Sequence, residues 1–311
     1  MKRLSLLTAL LISIPSWGAD KIDQSLPLSS NAQVTIEVPR GELNIVNGAE
    51  DSIRVVGTLD ELAERLVFEQ QGADMVVKVV MPRKWNGDNR SGSKLTVELP
   101  KQVNVDASGI STNIKANNFN GDFDVSSVSG ELKLSQLSGK LNFNTVSGDQ
   151  TLINNEGKMR IEAVSGEIDE RGSKGTITIR NVSGDIESNN FATEINLETV
   201  SGDVELVSNE AAEIAMRSVS GDIELGLLGS GDYQFNGESV SGDLELTVTK
   251  SLQGHIRLFA NAGGKISNRV SDDKPKKQKY GPSSELEFDL GQGDSKIRMT
   301  TLSGTMEIGF Q

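Results

Sequence analysis

Cysteine is absent from this chain of 311 residues, and histidine occurs once, at His255. Without cysteine there are no disulfides, no thiolate zinc sites and no lipid-modified N-terminal cysteine. A Ser-His-Asp triad would have to use His255, which we interpret as a surface residue of a strand. The sequence therefore indicates an exported, soluble protein that is held together by its core alone.

Positive charge is also scarce. The chain has 31 Lys and Arg against 44 Asp and Glu, a net charge of −13, and loss of Lys2 and Arg3 with a signal peptide would make it −15. Nucleic-acid binding needs a positive surface that replaces phosphate counterions, so we predict no nucleic-acid partner. An acidic surface favours solubility, cations or basic partners instead.

The chain has only one long apolar run. Leu4–Ile14 follows Lys2 and Arg3, and small residues at Ser16 and Gly18 suit cleavage before Ala19. This pattern predicts a signal peptide over residues 1–18, and hence a periplasmic or secreted/cell-surface protein. The run is too short to span a bilayer comfortably, so no transmembrane segment is expected in the mature chain.

A short repeat dominates the rest of the sequence. The motif Val-Ser-Gly-Asp-hydrophobic-Glu-Leu stands at Val200–Leu206, Val219–Leu225 and Val240–Leu246, with looser copies before and after. From Gly130 to Gly202 the repeat glycines are separated by 9 or 18 residues. A fixed short period is typical of stacked, quasi-one-dimensional folds.

Within each repeat, apolar residues lie two and four places after the glycine, and seven, five and two places before the next glycine. Steps of two indicate strands, and we interpret the step of three as a bend that returns the last residue to the interior. The sequence thus predicts an all-β parallel β-helix, or β-solenoid, with about 18 residues per coil in two nine-residue halves. The residues expected to form one buried file are Val128, Val146, Val164, Val182, Val200, Val219 and Val240.

The corners and one wall have their own predictions. A glycine at the corner fits a positive φ, or a backbone that passes too close for a Cβ atom. Polar residues at inward positions, Gln150, Glu170 and Ser188, predict that one wall of the interior is partly polar.

Before and after the regular repeats, the pattern loosens. We predict an irregular, β-rich N-terminal capping region at 19–102, with a flexible lead at 19–30 and a short helix through Leu59–Leu66. The solenoid is expected over 103–311, with a mobile basic insert at 271–284 and the C-terminus closing the stack.

These tandem repeats, preceded by an irregular β segment and a signal peptide, resemble the bacterial putative-adhesin family of β-strand-repeat proteins. The resemblance covers about residues 32–308 and is strongest from Gly130 to Leu246. It implies an envelope-exported β-solenoid for which adhesion is a proposed role, and it carries no catalytic residues. The basic insert departs from a plain repeat array.

Two acidic columns are the main candidate site. Stacked one coil apart, like charges repel by about 0.9 kcal/mol in bulk water, which salt, weakly bound divalent cations or a basic partner would offset. The alternative is a solvated acidic face that prevents association between sheets. A calcium-stabilised repeat protein is a further alternative, although its Gly-Gly-x-Gly-x-Asp turn is not matched by the Ser-Gly-Asp corner. The face comprises Asp185, Glu187, Asp203, Glu205, Asp222, Glu224, Asp243 and Glu245.

Two loops are candidates for partner contact. Trp85 lies among cationic residues, where it could stack on a sugar or meet anionic lipid. Lys276 and Lys277 in the basic insert could meet anionic lipid or lipopolysaccharide, or fold over the protein's own acidic face. The favoured alternative for the Trp85 loop is a solvated connection.

The function predicted from the sequence is a non-enzymatic cell-envelope binding or structural module, without a cofactor, whose partner is an envelope protein or glycan. The alternative is a carbohydrate-active β-helix enzyme, because carboxylates are abundant and glycosidases need two of them. Short corners disfavour the enzyme, since they leave few loops to wall a cleft.

Overall fold

The computed structural model describes residues 21–29, 32–83, 92–210, 213–279 and 281–311, and none of these is helical. Their strands join into one 26-stranded hydrogen-bonded sheet. The strands are β1 Lys21–Pro27, β2 Gln33–Glu37, β3 Arg40–Asn47, β4 Ser52–Thr58, β5 Arg65–Gln71, β6 Asp74–Val80, β7 Ser93–Leu99, β8 Asn104–Gly109, β9 Ser111–Asn120, β10 Phe123–Ser127, β11 Leu132–Thr145, β12 Gln150–Ile153, β13 Glu156–Ser165, β14 Ile168–Ser183, β15 Ile186–Ser201, β16 Val204–Ser208, β17 Glu213–Ser218, β18 Ile223–Leu227, β19 Gln234–Ser239, β20 Leu244–Val248, β21 Gly254–Ala260, β22 Lys265–Asn268, β23 Lys276–Lys277, β24 Ser284–Leu290, β25 Ser295–Thr301 and β26 Thr305–Phe310.

Successive coils stack in parallel and in register. Leu141 pairs with Met159, Met159 with Ile177, and Ile177 with Ile195, so inward residues lie over one another and are at most 1% exposed. Hydrogen bonds such as Asn117 Nδ2 to Ser135 Oγ join residues 18 apart, and the separation grows to 19 and then 21 in later coils. The result is a continuous aliphatic interior between parallel strands.

The prediction that the repeat valines are buried is wrong. These valines do stack, since Ser165 N donates to Val146 O at 2.7 Å and Ser201 Oγ to Val182 O at 3.4 Å, but their side chains are 43–48% exposed. The buried residue is the one just before each valine, such as Ala163 or Thr199, each 5% exposed. Strand alternation therefore continues through the residue before each valine, which points inward. The valine that follows points outward, and the bend begins after it.

Both predicted reasons for the corner glycines are confirmed. Gly202 has φ +115°, and a Cβ atom there would lie 2.3 Å from the carbonyl oxygen of Gly184 in the coil below. At Gly148 the corresponding distance, to the carbonyl oxygen of Gly130, is 2.0 Å. The coils can stack this closely only because glycine lies on glycine.

The partly polar wall is also confirmed. Gln150, Glu170 and Ser188 are at most 1% exposed. The carboxylate of Glu170 accepts hydrogen bonds from Ser188 Oγ at 2.6 Å and from the Ser173 backbone N–H at 3.0 Å. Burial raises the pKa of Glu170, and these hydrogen bonds partly offset the rise.

At the N-terminal end, the chain does not run through the coils in sequence order. β2 and β3 lie between the β6–β7 coil and the β8–β9 coil, with all pairings parallel. β1 pairs antiparallel with β4, and β4 with β7, so residues 21–27 form a strand and the predicted flexible lead is wrong there.

The short helix predicted through Leu59–Leu66 is also wrong. Leu66 lies in β5, and the carboxylate of Asp60 instead accepts hydrogen bonds from Arg40 Nη2 at 2.9 Å and from the Leu62 backbone N–H at 2.8 Å. A buried ion pair and a tight turn therefore hold Asp60, and the chain continues into β5 instead of a helix.

At the C-terminal end, the last segment is again placed inside the stack. β25 pairs with β19 and β21, and β26 pairs with β20 and β22. The C-terminus therefore does not close the stack, contrary to prediction. β24 covers β21 in antiparallel orientation, and Lys276–Lys277 of the basic insert form β23 beside β24.

Candidate functional site

A file of exposed aliphatic side chains runs across the stacked coils of the described chain, and we call it the ridge. Its residues are 43–49% exposed, and eight steps of about 4.8 Å give it a length of about 38 Å. Monomeric soluble proteins expose few contiguous apolar patches of such extent, and those that do often use them for binding. The ridge comprises Ile110, Val128, Val146, Val164, Val182, Val200, Val219, Val240 and Leu302.

One flank of the ridge carries alternating charges two residues before the valines. Arg180 Nε lies 2.9 Å from Glu198 Oε2, and its Nη1 lies 3.7 Å from Glu162 Oε1. Arg217 continues the series toward Glu198 at 4.0 Å and Glu238 at 3.4 Å. The hydrogen bond and charge of Glu198 raise the pKa of Arg180. This ion-pair ladder offsets most of the charge on the flank and forms a polar rim beside the ridge.

A groove of about 500 Å³ lies between the ladder and the ridge, beside Val164, Val182 and Val200. Small residues, including Ala163 and Asn181, line it. Asn181 Nδ2 donates to two glycine carbonyls at 3.0 and 3.1 Å, whereas its buried Oδ1 has no hydrogen-bond partner among the described residues. The groove exposes the side of the ridge as well as its crest.

The first predicted acidic column, formed by the aspartates, is a ladder of hydrogen bonds from backbone N–H groups to side-chain carboxylates. Asp185 Oδ1 accepts the Asp203 N–H at 2.9 Å, Asp203 Oδ1 accepts the Asp222 N–H at 2.9 Å, and Asp222 Oδ1 accepts the Asp243 N–H at 2.8 Å. Each aspartate therefore caps the next coil, a role that the sequence reasoning missed. The signal was present, because Asn104 and Asn113 occupy equivalent corners and accept the same kind of bond at 3.0 Å.

The second predicted column consists of glutamates in register. Glu187 pairs with Glu205, Glu205 with Glu224, and Glu224 with Glu245. Arg171 neutralises the start of the column, at 3.0 Å from Glu187. Among the described residues, no group of three or more His, Asp or Glu side chains is arranged to hold a metal ion, and cation binding here stays a prediction.

The remaining predicted contact residues are scattered. Trp85 lies outside the described residues. Lys276 and Lys277 are exposed, and Lys276 is in register with Glu285. His255 is an exposed strand residue, as predicted, with Nδ1 2.8 Å from Asp289 Oδ1. Within the described ranges there is no helix that could cross a membrane.

A family model described as Toastrack, DUF4097, matches residues 31–272, which is more than half of the chain. The chain belongs to the Toastrack family. The predicted resemblance to putative adhesins of unknown function is thereby confirmed. The Toastrack match ends in the basic insert, before β23–β26. None of the curated proteins compared with the chain is similar enough to count as a match.

Several solved structures share low similarity over nearly the whole chain. A putative cell adhesion protein of Clostridium sporogenes is 12% identical, with 94% of this chain and 100% of that chain covered and a TM-score of 0.22. A putative adhesin of Bacteroides fragilis is 9% identical, covering 94% and 99%, with a TM-score of 0.41. A putative lipid binding protein of Parabacteroides distasonis is 14% identical, covering 93% and 97%, with a TM-score of 0.39. At scores this low, these structures carry no argument about the ligand.

Proposed function

We propose that this Toastrack chain is a non-enzymatic, adhesin-like binding scaffold of the cell envelope, and that the ridge is its contact surface. The observation that carries the proposal is the single file of nine half-exposed aliphatic side chains. In a fold that buries its inward columns almost completely, such an outward apolar file is either solvated at a cost in free energy or covered by a partner.

The chemistry of the ridge favours a protein partner over a sugar. Sugars are commonly bound against aromatic rings, whereas the ridge is made of valine, isoleucine and leucine. An apolar strip beside an ion-paired polar rim, here the ladder of Glu162, Arg180 and Glu198, matches the core-and-rim anatomy of protein interfaces.

The same ladder supports a role without catalysis. Glycosidases need two carboxylates that are free to act as acid and base or nucleophile. Glu162 and Glu198, the carboxylates that line the groove, both bind Arg180. An enzyme would need these groups in other protonation and pairing states.

The coil size, the N-terminal cap and the cellular location are also part of the proposal. We infer a β-solenoid of about 18 residues per coil in two halves, with residues up to about 102 acting as an N-terminal cap. We also infer export by the segment at 1–18, which would place the ridge in the periplasm or on the cell surface.

Site-specific photocrosslinking tests the proposal. A benzophenone amino acid at position 146, 182 or 219 is expected to give one discrete protein adduct in cells of the source organism. The same probe at Glu205 or Glu224, on another face, is expected to give none.

A matched pair of variants controls the result. Val164→Ser, Val182→Ser and Val200→Ser together should abolish the adduct at position 146, while Ile153→Ser, which also removes an exposed aliphatic side chain, should not. Equal adducts at ridge and non-ridge positions, or none on the ridge, would refute the proposal.

A further inference from the structure

A second surface feature lies on the outer face of the strands near the C-terminal end, apart from the ridge. β17, β19, β25, β21 and β24 lie side by side in that order. Short outward side chains, Ala215 and Asn236, leave a recess of about 480 Å³ beside the longer Lys296 and Arg298 of β25. The recess is open to solvent and is lined by hydrogen-bonding and charged groups.

Four basic side chains lie next to one another in the recess. Arg298 is in register with Arg257 of β21, and Lys296 with His255, so four basic groups form a compact block. β24 supplies carboxylates to both β21 residues. Glu285 lies 2.6 Å from Arg257 Nη2. Asp289 lies 2.8 Å from His255 Nδ1, and Glu287 lies 3.2 Å from His255 Nε2. Lys296 and Arg298 have no ion-pair partner among the described residues, although the chain carries a net charge of −13.

Carboxylates stand on both sides of these two cations. Glu213 on β17 and Glu287 on β24 line opposite sides of the recess, each two strands, or about 10 Å, from β25. A ligand with one negative group at its centre and hydroxyl donors on both sides would satisfy all of these groups. A chain of consecutive phosphates would meet Glu213 and Glu287 with like charge.

We infer that this recess binds an acidic saccharide whose single carboxylate, phosphate or sulfate is flanked by neutral sugar units. The guanidinium of Arg298 would hold the anionic group through paired N–H donors, and Lys296 would add a second charge. Amide groups of Gln234 and Asn236 and the carboxylates of Glu213 and Glu287 would take the sugar hydroxyls. The inference does not use the ridge, so its failure leaves the proposed function standing.

Calorimetric titration of the full chain tests the inference. The probes are trisaccharides with a central uronate, a central sugar phosphate or a central sugar sulfate, together with an all-neutral trisaccharide and inorganic phosphate. At least one acidic trisaccharide is expected to bind, more weakly at higher salt, while the neutral one does not. Binding of no acidic trisaccharide, or equal binding of the neutral one, would overturn the inference. Inorganic phosphate that binds as tightly as the acidic trisaccharide would overturn the assignment of a saccharide.

The chain supplies a matched control for the mutagenesis. Lys296→Gln with Arg298→Gln should weaken binding about tenfold or more, since charge-assisted hydrogen bonds are lost. Lys158 and Arg160 have the same spacing and outward orientation on β13, but Arg160 binds Glu162 at 2.6 Å. Lys158→Gln with Arg160→Gln should leave binding unchanged. Equal losses in both double variants, or none in the first, would contradict the inference.

Discussion

Two valines four residues apart should lose very different amounts of stability on the same substitution. Val200 on the ridge is 48% exposed, whereas Val204 on β16 is 2% exposed between Ile186 and Ile223. Val204→Asp places a carboxylate without a partner in the interior, which should destabilise the fold by about 4 kcal/mol or more. Val200→Asp loses only about half of the 1.5–3 kcal/mol that a fully buried valine contributes, or about 1 kcal/mol.

Urea unfolding followed by far-UV circular dichroism separates these values. With a slope of about 3 kcal/mol/M, Val200→Asp should lower the midpoint by about 0.3 M and Val204→Asp by about 1.3 M or more. Val200→Asn and Val204→Asn repeat the comparison without the charge. A midpoint for Val200→Asp as low as that for Val204→Asp would mean that the ridge is buried.

Three further predictions concern the corners and the polar wall. Asp203→Asn should stay within about 0.5 kcal/mol of the parent, whereas Asp203→Ala should lose about 0.5–1.5 kcal/mol because the Asp222 N–H loses its acceptor; thermal melts measure both. Gly202→Ala should destabilise the fold by about 2–4 kcal/mol, because φ is positive there and the new Cβ atom would meet a backbone oxygen. Gly231→Ala, which has open space around it, should leave the melting temperature unchanged. Burial raises the pKa of Glu170, so the folded state holds this proton more tightly than the unfolded chain. The contribution of Glu170 to the free energy of unfolding is therefore largest below a pH of about 4.3, and it falls as pH rises toward the folded pKa. Glu170→Gln should remove that fall and be the more stable form at neutral pH in a pH series of urea titrations, and an unchanged pH profile would contradict this.

The regular part of the fold follows from periodicity in the sequence. Residues such as Ile177 and Leu197 recur in phase with the glycines, and only stacked strands bury them all. The polar wall was likewise visible in Gln150 and Glu170, because their inward phase is set by the same period. Spacing alone fixes which residues lie over one another.

The position of the ridge could not be read from hydrophobicity. A step of three residues fits a bend that returns Val182 inside, but it equally fits one more strand residue, Asn181, followed by an outward valine. Valine is most often a buried residue, and this tendency led to the wrong prediction for the repeat valines. Strict alternation from Ile177 through Ile179 to position 181 was the better guide.

Strand order at the two ends depends on long-range pairing that no local period encodes. β2–β3 and β25–β26 each lie one coil inside the end of the stack, and antiparallel strands cover the outer coils. The recess also escaped the sequence reasoning, because Lys296 and His255 are 41 positions apart and meet only through this insertion.

The repeat valines stack one coil apart on the outside of the protein. The absence of native cysteine makes a direct test clean. Val182→Cys with Val200→Cys places two cysteines on neighbouring strands with Cα atoms about 4.8 Å apart, within the Cα–Cα range of disulfides, whereas Val182→Cys with Val219→Cys places them two coils apart, beyond that range. Mild oxidation of the folded protein should form an intramolecular disulfide in the first variant and none in the second. No disulfide in the first variant, or equal yields in both, would contradict the account.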